Sequence, residues 1–342
     1  MIQSLSTLCY IEKDGKYLML HRIKKNKDIN KDKWIGVGGH FEAQESPEEC
    51  LLREVWEETG YRLTSYQYRG IVTFVCGEDV TEYMSLYTAD GFEGEPHECN
   101  EGVLEWVDKT KVMDLNLWEG DKIFFRLLNE ESDFFSLKLL YSADGILEEA
   151  SLNGESLELF DILDEDGNKT GIVRERGVAH RDGSLHGTVH VWVIRPNEKS
   201  GYDVLLQKRS VDKDSHPGCF DISAAGHIPT GEESWTAAIR EIAEELGISV
   251  QESHLHHIGV HKGHFEAEFY GHSFVDREIS QVYVYDAPIN ETKLQLQESE
   301  VESVSWFDYE EARQAIIENR IKNCIYLSEY ELLGKSIGII TE

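Results

Sequence analysis

The chain is short of positive charge: 33 Lys and Arg stand against 65 Asp and Glu in 342 residues, a formal charge of −32. A surface of that sign repels a polyanion, which argues against DNA or RNA as a partner, while a small phosphate ligand stays compatible if divalent cations supply the missing charge. Paired cysteines are missing too. Cys9, Cys50, Cys76, Cys99, Cys219 and Cys324 are scattered, with no C-x-x-C and no zinc-type spacing, so a reduced, cytoplasmic setting is expected. No apolar run approaches membrane-spanning length, and "MIQSLSTLCYIEKDGKYLML" at the start has neither a basic leader nor a clean apolar stretch; it reads as the beginning of a strand. With 40% hydrophobic residues the chain can bury ordinary cores, and its length suggests two domains.

What the chain has in excess is glutamate, concentrated in two places. Residues 39–61, "GHFEAQESPEECLLREVWEETGY", and residues 226–248, "GHIPTGEESWTAAIREIAEELGI", share one pattern at a constant offset of 187, from Gly39 and Gly226 through to Gly60 and Gly247. The same shift carries Arg22 of "YLMLHR" onto Arg209 of "VLLQKR". A second pair of anchors, "LEWVD" (104–108) and "VSWFD" (304–308), is offset by 200, so the intervening loops differ by 13 residues (200 − 187) and are where substrate choice should diverge. Two homologous domains follow, 1–155 and 156–342. Trp106 and Trp306 are expected to end strands and pack beneath each site.

Between the copies, residues 134–154 read as a hairpin around Ala143-Asp144-Gly145, assigned to the first domain, and "DEDGNKTG" (164–171) as a turn between strands. "DREISQVYVY" (276–285) predicts a strand and "DYEEARQAIIENRI" (308–321) an amphipathic helix; the tail beyond gives weak signals.

In the first copy Ser46 suits an N-cap, Pro47 the first helical position and Glu49 a capping box, predicting a helix to Thr59 with Gly60 as its stop. On it Glu54, Glu57 and Glu58 fall at i, i+3 and i+4 and share a face, with Leu51 and Val55 turned to the core. Three convergent carboxylates make an all-oxygen site for Mg²⁺ or Mn²⁺, which answers the mutual repulsion. Glu241, Glu244 and Glu245 repeat that face. Arg53 is expected to point elsewhere and reach back to Glu45, with Arg240 and Glu232 as the matching structural pair. The glycines of "IGVGGH" let backbone approach phosphate or metal, with Gly39, and Gly226 in the second copy, offering a carbonyl to the cation.

Both copies fit G-x5-E-x7-R-E-U-x-E-E-x-G-U with U apolar, except that Tyr61 is aromatic; this resembles the Nudix box. The resemblance implies an α/β (α+β) chain of two α/β/α sandwich domains with mixed sheets. It also implies Mg²⁺-dependent hydrolysis of nucleoside diphosphates linked to a group X, acting on small nucleotide or diphosphate substrates, with no nucleic acid polymer and no membrane as partner. The general base is either a box glutamate or a later one, with Glu98, Glu101, Glu278, Glu298 and Glu300 as candidates.

The first domain is similar to the MutT-type enzymes that hydrolyse oxidised purine nucleoside triphosphates. In "LNLWEGDKIFF" (115–125) Trp118 and Asp121 match the residues that stack on and read the base, while Gly120 stands where the mammalian-type pattern has an acid. Trp118 capping a core helix over 118–128 is an equally open reading. The second domain is similar to the isopentenyl diphosphate isomerase branch, whose metal-binding histidines match His180, His186 and His227. Such a cluster suits a transition metal. The isomerase cysteine position is Ala225, and Cys219 precedes the strand, so a diphosphate hydrolase is favoured over an isomerase; a non-catalytic nucleotide-binding module is a further alternative. His190 is expected to alternate with its valine neighbours on a strand, and His254, His256, His257, His261 and His264 to be exposed. Glu278 is the later carboxylate singled out for substrate contact, as Arg22 and Arg209 are from the strands.

Overall fold

A computed structural model describes residues 2–24, 28–130, 133–199, 201–213, 215–269 and 272–340. The chain divides into two compact units, Met1–Leu159 with Gly171–Val178, and Phe160–Thr170 with Ala179–Glu342. Both are mixed α/β.

In the first unit, Ile2–Lys13 runs parallel to Val80–Glu93 and antiparallel to Lys16–His21, which pairs in turn with Trp34–Ile35 and Val103–Asp108. On the other side Arg62–Cys76 pairs antiparallel with Val80–Glu93, and the sheet is extended by Phe135–Tyr141 and Leu147–Leu152. That last pair is the expected hairpin. In Phe135–Tyr141 the side chains of Phe135, Leu137, Leu139 and Tyr141 are buried while Ser136 and Lys138 are exposed, the period of two that a one-sided strand requires. Its buried face joins Glu119–Asn129, a helix whose Ile123, Phe124 and Phe125 lie in the same apolar core.

The second unit repeats the centre of this plan. His186–Pro196 runs parallel to His272–Tyr285 and antiparallel to Tyr202–Arg209 and Ala224–His227; Val301–Asp308 closes against Tyr202–Arg209. Val189, Val191 and Val193 point to one face and pack with Ala237, Ala238 and Ile242 of the helix Ser234–Leu246. The alternate residues His186, Thr188, His190 and Trp192 face the other way.

Pro47–Thr59 forms as its sequence dictates. Ser46 accepts from the Glu49 N–H, Glu49 returns the bond to the Ser46 N–H, and Gly60 closes the helix at φ 79°. Leu51 and Val55 are fully buried, each worth about 2 kcal/mol of apolar burial. Trp106 and Trp306 lie near the ends of their strands and pack on the cores that also receive the glutamate-rich helices.

Two expectations need correction. The helix after Trp306 covers only Tyr309–Ile317, because Asn319 takes a left-handed φ of 53° and turns the chain. The weakly patterned tail folds into a helix, Leu327–Ser336, that buries Tyr330, Leu333 and Glu329. Among the described residues no helix is long and apolar enough to cross a membrane.

Candidate active sites

The two glutamate helices present the same atoms in the same relation. Gly38 N–H donates to Glu58 Oε2 at 2.9 Å, and Ala225 N–H, 187 residues on, donates to Glu245 Oε2 at 3.1 Å. An added Cβ on Gly39 would lie 2.5 Å from the Glu54 carboxylate, and one on Gly226 2.1 Å from that of Glu241, so each glycine leaves a cradle between backbone and carboxylate that no other residue would. The Gly39 carbonyl accepts the Thr7 N–H at 2.9 Å and, more weakly, the Cys50 thiol at 3.5 Å. Glu57 and Glu244 are the open members, their side chains 51% and 55% exposed. Burial pushes Glu58 and Glu245 up to about 8; the neighbouring carboxylates add to the rise, and the backbone N–H bonds work against it. An all-oxygen donor set with buried carboxyls short of positive charge suits a hard divalent cation, which Glu54, Glu57, Glu58 and Gly39 would hold in one unit and Glu241, Glu244, Glu245 and Gly226 in the other, although on neither helix do the three carboxylates bring oxygens within 4.8 Å of one another.

Arg53 does not point away from this face. Its guanidinium bonds Glu45 at 2.6 and 2.8 Å and the His40 carbonyl at 3.1 Å, but also Glu54 at 2.6 Å and Glu57 at 3.4 Å. Arg240 repeats every contact, with Glu232, Glu241, Glu244 and the His227 carbonyl. Each arginine ties the loop before the helix to the helix and holds part of the carboxylate face in place. Arg22 and Arg209 are likewise engaged within the protein: Arg22 bonds Asp28 and Glu101, while Arg209 bonds Asp221 and the Ser215 carbonyl and hydroxyl. Glu101, one of the later candidates, thereby sits close enough to Glu58 to raise its pKa.

In the first unit a cavity of about 520 Å³ runs from Gly39, Arg53 and Glu54 to Trp118 and Asp121. Trp118 is only 8% exposed and packs edge-on to Phe74 and Tyr141, as a core residue would, and it also lines the cavity. Its Nε1–H donates to Asn30 Oδ1 at 2.8 Å, which leaves the Asn30 amide N–H groups for other partners. Nothing in the polar stretch "KNKDINKDKW" marked Asn30 out. Asp121 is buried, and burial lifts its carboxyl to about 8 against the opposing pull of Lys33. Gly120 has its own reason: a Cβ there would lie 2.5 Å from both Leu139 Cδ1 and the Tyr141 hydroxyl, which accepts the Gly120 N–H at 2.8 Å. The hairpin fills the space that an acidic side chain would need.

In the second unit His180, His186 and His227 bring ligand atoms within 4.8 Å of one another, and His186 does the same with Asp276 and Glu278. His186 Nδ1 is 2.9 Å from the Ser184 carbonyl, an arrangement that puts the ring proton there and the lone pair on Nε2. Burial, reinforced by Asp276, raises the Glu278 carboxyl. Asp276 carried no sequence signal beyond its place two residues before Glu278. His190 lies on a strand in alternation with its valine neighbours, as expected, whereas His261 departs from its expected exposure. His190 is buried, its Nδ1 2.8 Å from Glu329, and His261 is largely covered beside the same carboxylate, whereas His256, His257 and His264 are exposed.

Comparison with known proteins agrees with this geometry. The NUDIX domain profile matches residues 4–128 and 184–326. Nudix hydrolase 3 of Arabidopsis thaliana is 40% identical over 158 residues, 46% of this chain but only 20% of that protein's length. The oxidized purine nucleoside triphosphate hydrolase of Danio rerio is 28% identical over 42% of this chain and 91% of its own. The isopentenyl-diphosphate Delta-isomerase of Dinoroseobacter shibae is 29% identical over 38% of this chain and 68% of its own. Two profile matches covering more than half of the chain, each enclosing one complete glutamate box, show that it belongs to the Nudix family as a tandem of two such domains.

Proposed function

We propose that both units are divalent-cation-dependent hydrolases of phosphoric anhydrides. In this reading the first is a pyrophosphohydrolase of nucleoside triphosphates that favours oxidised purines, and the second is a hydrolase of a diphosphate-linked compound. The observation that carries this is the duplicated carboxylate face, with matching N–H bonds at Gly38 and Ala225 and matching arginine braces. A bound Mg²⁺ would neutralise phosphate oxygens and acidify a water.

The protein's own groups do the rest. Arg53 and Arg240 orient the carboxylates, and Glu57 and Glu244, the exposed members, are placed to take a proton from water. In the first unit Asp121, protonated near neutrality, can donate as well as accept along a purine edge, with Asn30 offering amide N–H groups beside it. The Danio rerio relative is named for this substrate class, which supports the reading.

The histidine cluster favours one second reading, that the second unit moves a double bond in an isoprenoid diphosphate around a transition metal; Ala225, lacking a thiol, weighs against it. The deciding experiment assays phosphate release, pyrophosphate release and isomerisation with Mg²⁺ across oxidised and normal nucleoside triphosphates, nucleoside diphosphate sugars and isoprenoid diphosphates. Glu57→Gln should lower the first unit's kcat by roughly a hundredfold or more and Glu244→Gln the second's by a similar factor, each leaving the other reaction intact. If neither substitution changes any turnover, the glutamate faces are not the reaction centres.

A further inference from the structure

The polar face of the second unit's sheet continues past the histidine cluster. Strand register sets His186 beside Glu278, Thr188 between His227 and Ser280, and His190 between Ala225 and Val282. His190 is 8% exposed, and its Nδ1 lies 2.8 Å from Glu329 Oε2. The other oxygen of that carboxylate accepts the Trp192 Nε1–H at 2.9 Å, and Glu329 is 1% exposed.

Burial alone would discharge the imidazole, but the adjacent carboxylate prevails and raises His190 to about 9. Glu278 and Asp221 act in the same direction; Asp221 is bonded to Arg209, and His261 approaches Glu329 from the opposite strand at 3.6 Å. No described residue bonds His190 Nε2. Its neighbour across the strands, Ala225, carries only a half-buried methyl.

We propose that the Nε2–H of His190 binds an oxyanion, a carboxylate or phosphate oxygen, on the part of the second unit's substrate that lies beyond the diphosphate. This rests on the diphosphate-hydrolase reading of that unit. The Ala225 N–H bonds Glu245 while its methyl neighbours His190, so a diphosphate held at the glutamate face extends its remaining group toward the imidazolium. A hydrocarbon there would leave a charged, buried N–H without an acceptor, which disfavours isoprenoid substrates. An anionic oxygen would complete a charge-assisted bond.

The test uses the full chain carrying Glu57→Gln, with Mg²⁺, and two matched pairs: UDP-glucuronate against UDP-glucose, and ADP-ribose 1″-phosphate against ADP-ribose. The first pair isolates a carboxylate and the second a phosphate. The anionic member of at least one pair should be favoured in kcat/KM by roughly tenfold or more. In His190→Gln and Glu329→Gln that ratio should fall to near one, mainly through KM. An unchanged ratio in His190→Gln overturns the proposal while leaving the hydrolase reading intact. If no cleavage is lost on adding Glu244→Gln, the hydrolase reading fails instead. The inference is then decided by ¹⁵N NMR of the His190 ring during titration with the two anionic compounds. A shift of Nε2 absent with UDP-glucose and ADP-ribose sustains it, and none with any compound overturns it.

Discussion

Glu58 buries its carboxyl against the Gly38 N–H and Glu245 against the Ala225 N–H and the Gln207 amide, and burial pushes both up to about 8, toward the protonated form at neutral pH. A cation must displace those protons to use the oxygens. At pH 7, Mg²⁺ binding should therefore release roughly one proton per site. Calorimetry in buffers of different ionisation enthalpy measures this, and uptake of Mg²⁺ with no proton release would place the ion elsewhere. The spacing that put three glutamates on one face was legible because helical geometry is local. The second contact of each box arginine was not, since Arg53 has reach enough for either side of its helix and only the fold selects Glu54 and Glu57 alongside Glu45. For His190 the alternation with valines marked a strand correctly, while its partner Glu329, 139 residues away, was beyond any local pattern.

At the scale of the element, the two box helices differ in one respect. Ser46 caps the first with a complete box, whereas Glu233 precedes the second with no side-chain cap bond. Ser46→Ala should cost the protein about 1 kcal/mol, and Glu233→Ser should add about 0.5 kcal/mol or more. Denaturant midpoints for the two unfolding transitions check both, and equal effects of the two changes in sign would contradict the cap assignment. Helix boundaries were readable where caps were strong, as at Ser46 and Gly60. The Leu327–Ser336 helix was not, because it starts at Tyr326 without a side-chain cap and owes its place to burial of Tyr330 and Leu333 against Tyr309.

For the molecule as a whole, the shifted groups act together on pH dependence. Glu58, Glu245 and Asp121 are raised from ordinary carboxylate values to about 8, and Glu278 is raised as well. Between the unfolded and folded pKa values the unfolded chain has already lost protons that the folded chain keeps, so stability falls as pH climbs from about 4.5 to 8. His190 shares that slope: its ion pair stabilises fully below about pH 6.5 and the contribution fades as pH rises through about 9. Self-repulsion from a formal charge of −32 adds to it. Without divalent cations, Tm should fall steadily from pH 6 to 8.5, and saturating Mg²⁺ should raise Tm more at pH 8 than at pH 6. A metal-free Tm that rises over this range would contradict the shifts. Two domains were legible from one 187-residue offset, because duplication repeats spacing even where loops diverge.

The hairpin Phe135–Tyr141 and Leu147–Leu152 lies beyond residue 128, where the first family match ends, yet its Leu139 and Tyr141 occupy the space over Gly120, and Gly145 abuts Trp118. Heredity therefore cannot exchange this wall of the pocket piecemeal. An acidic residue could enter at position 120 only in a lineage that had already shortened or reshaped the hairpin, and a graft of the first 128 residues onto another protein would carry the box without the wall that shapes its pocket.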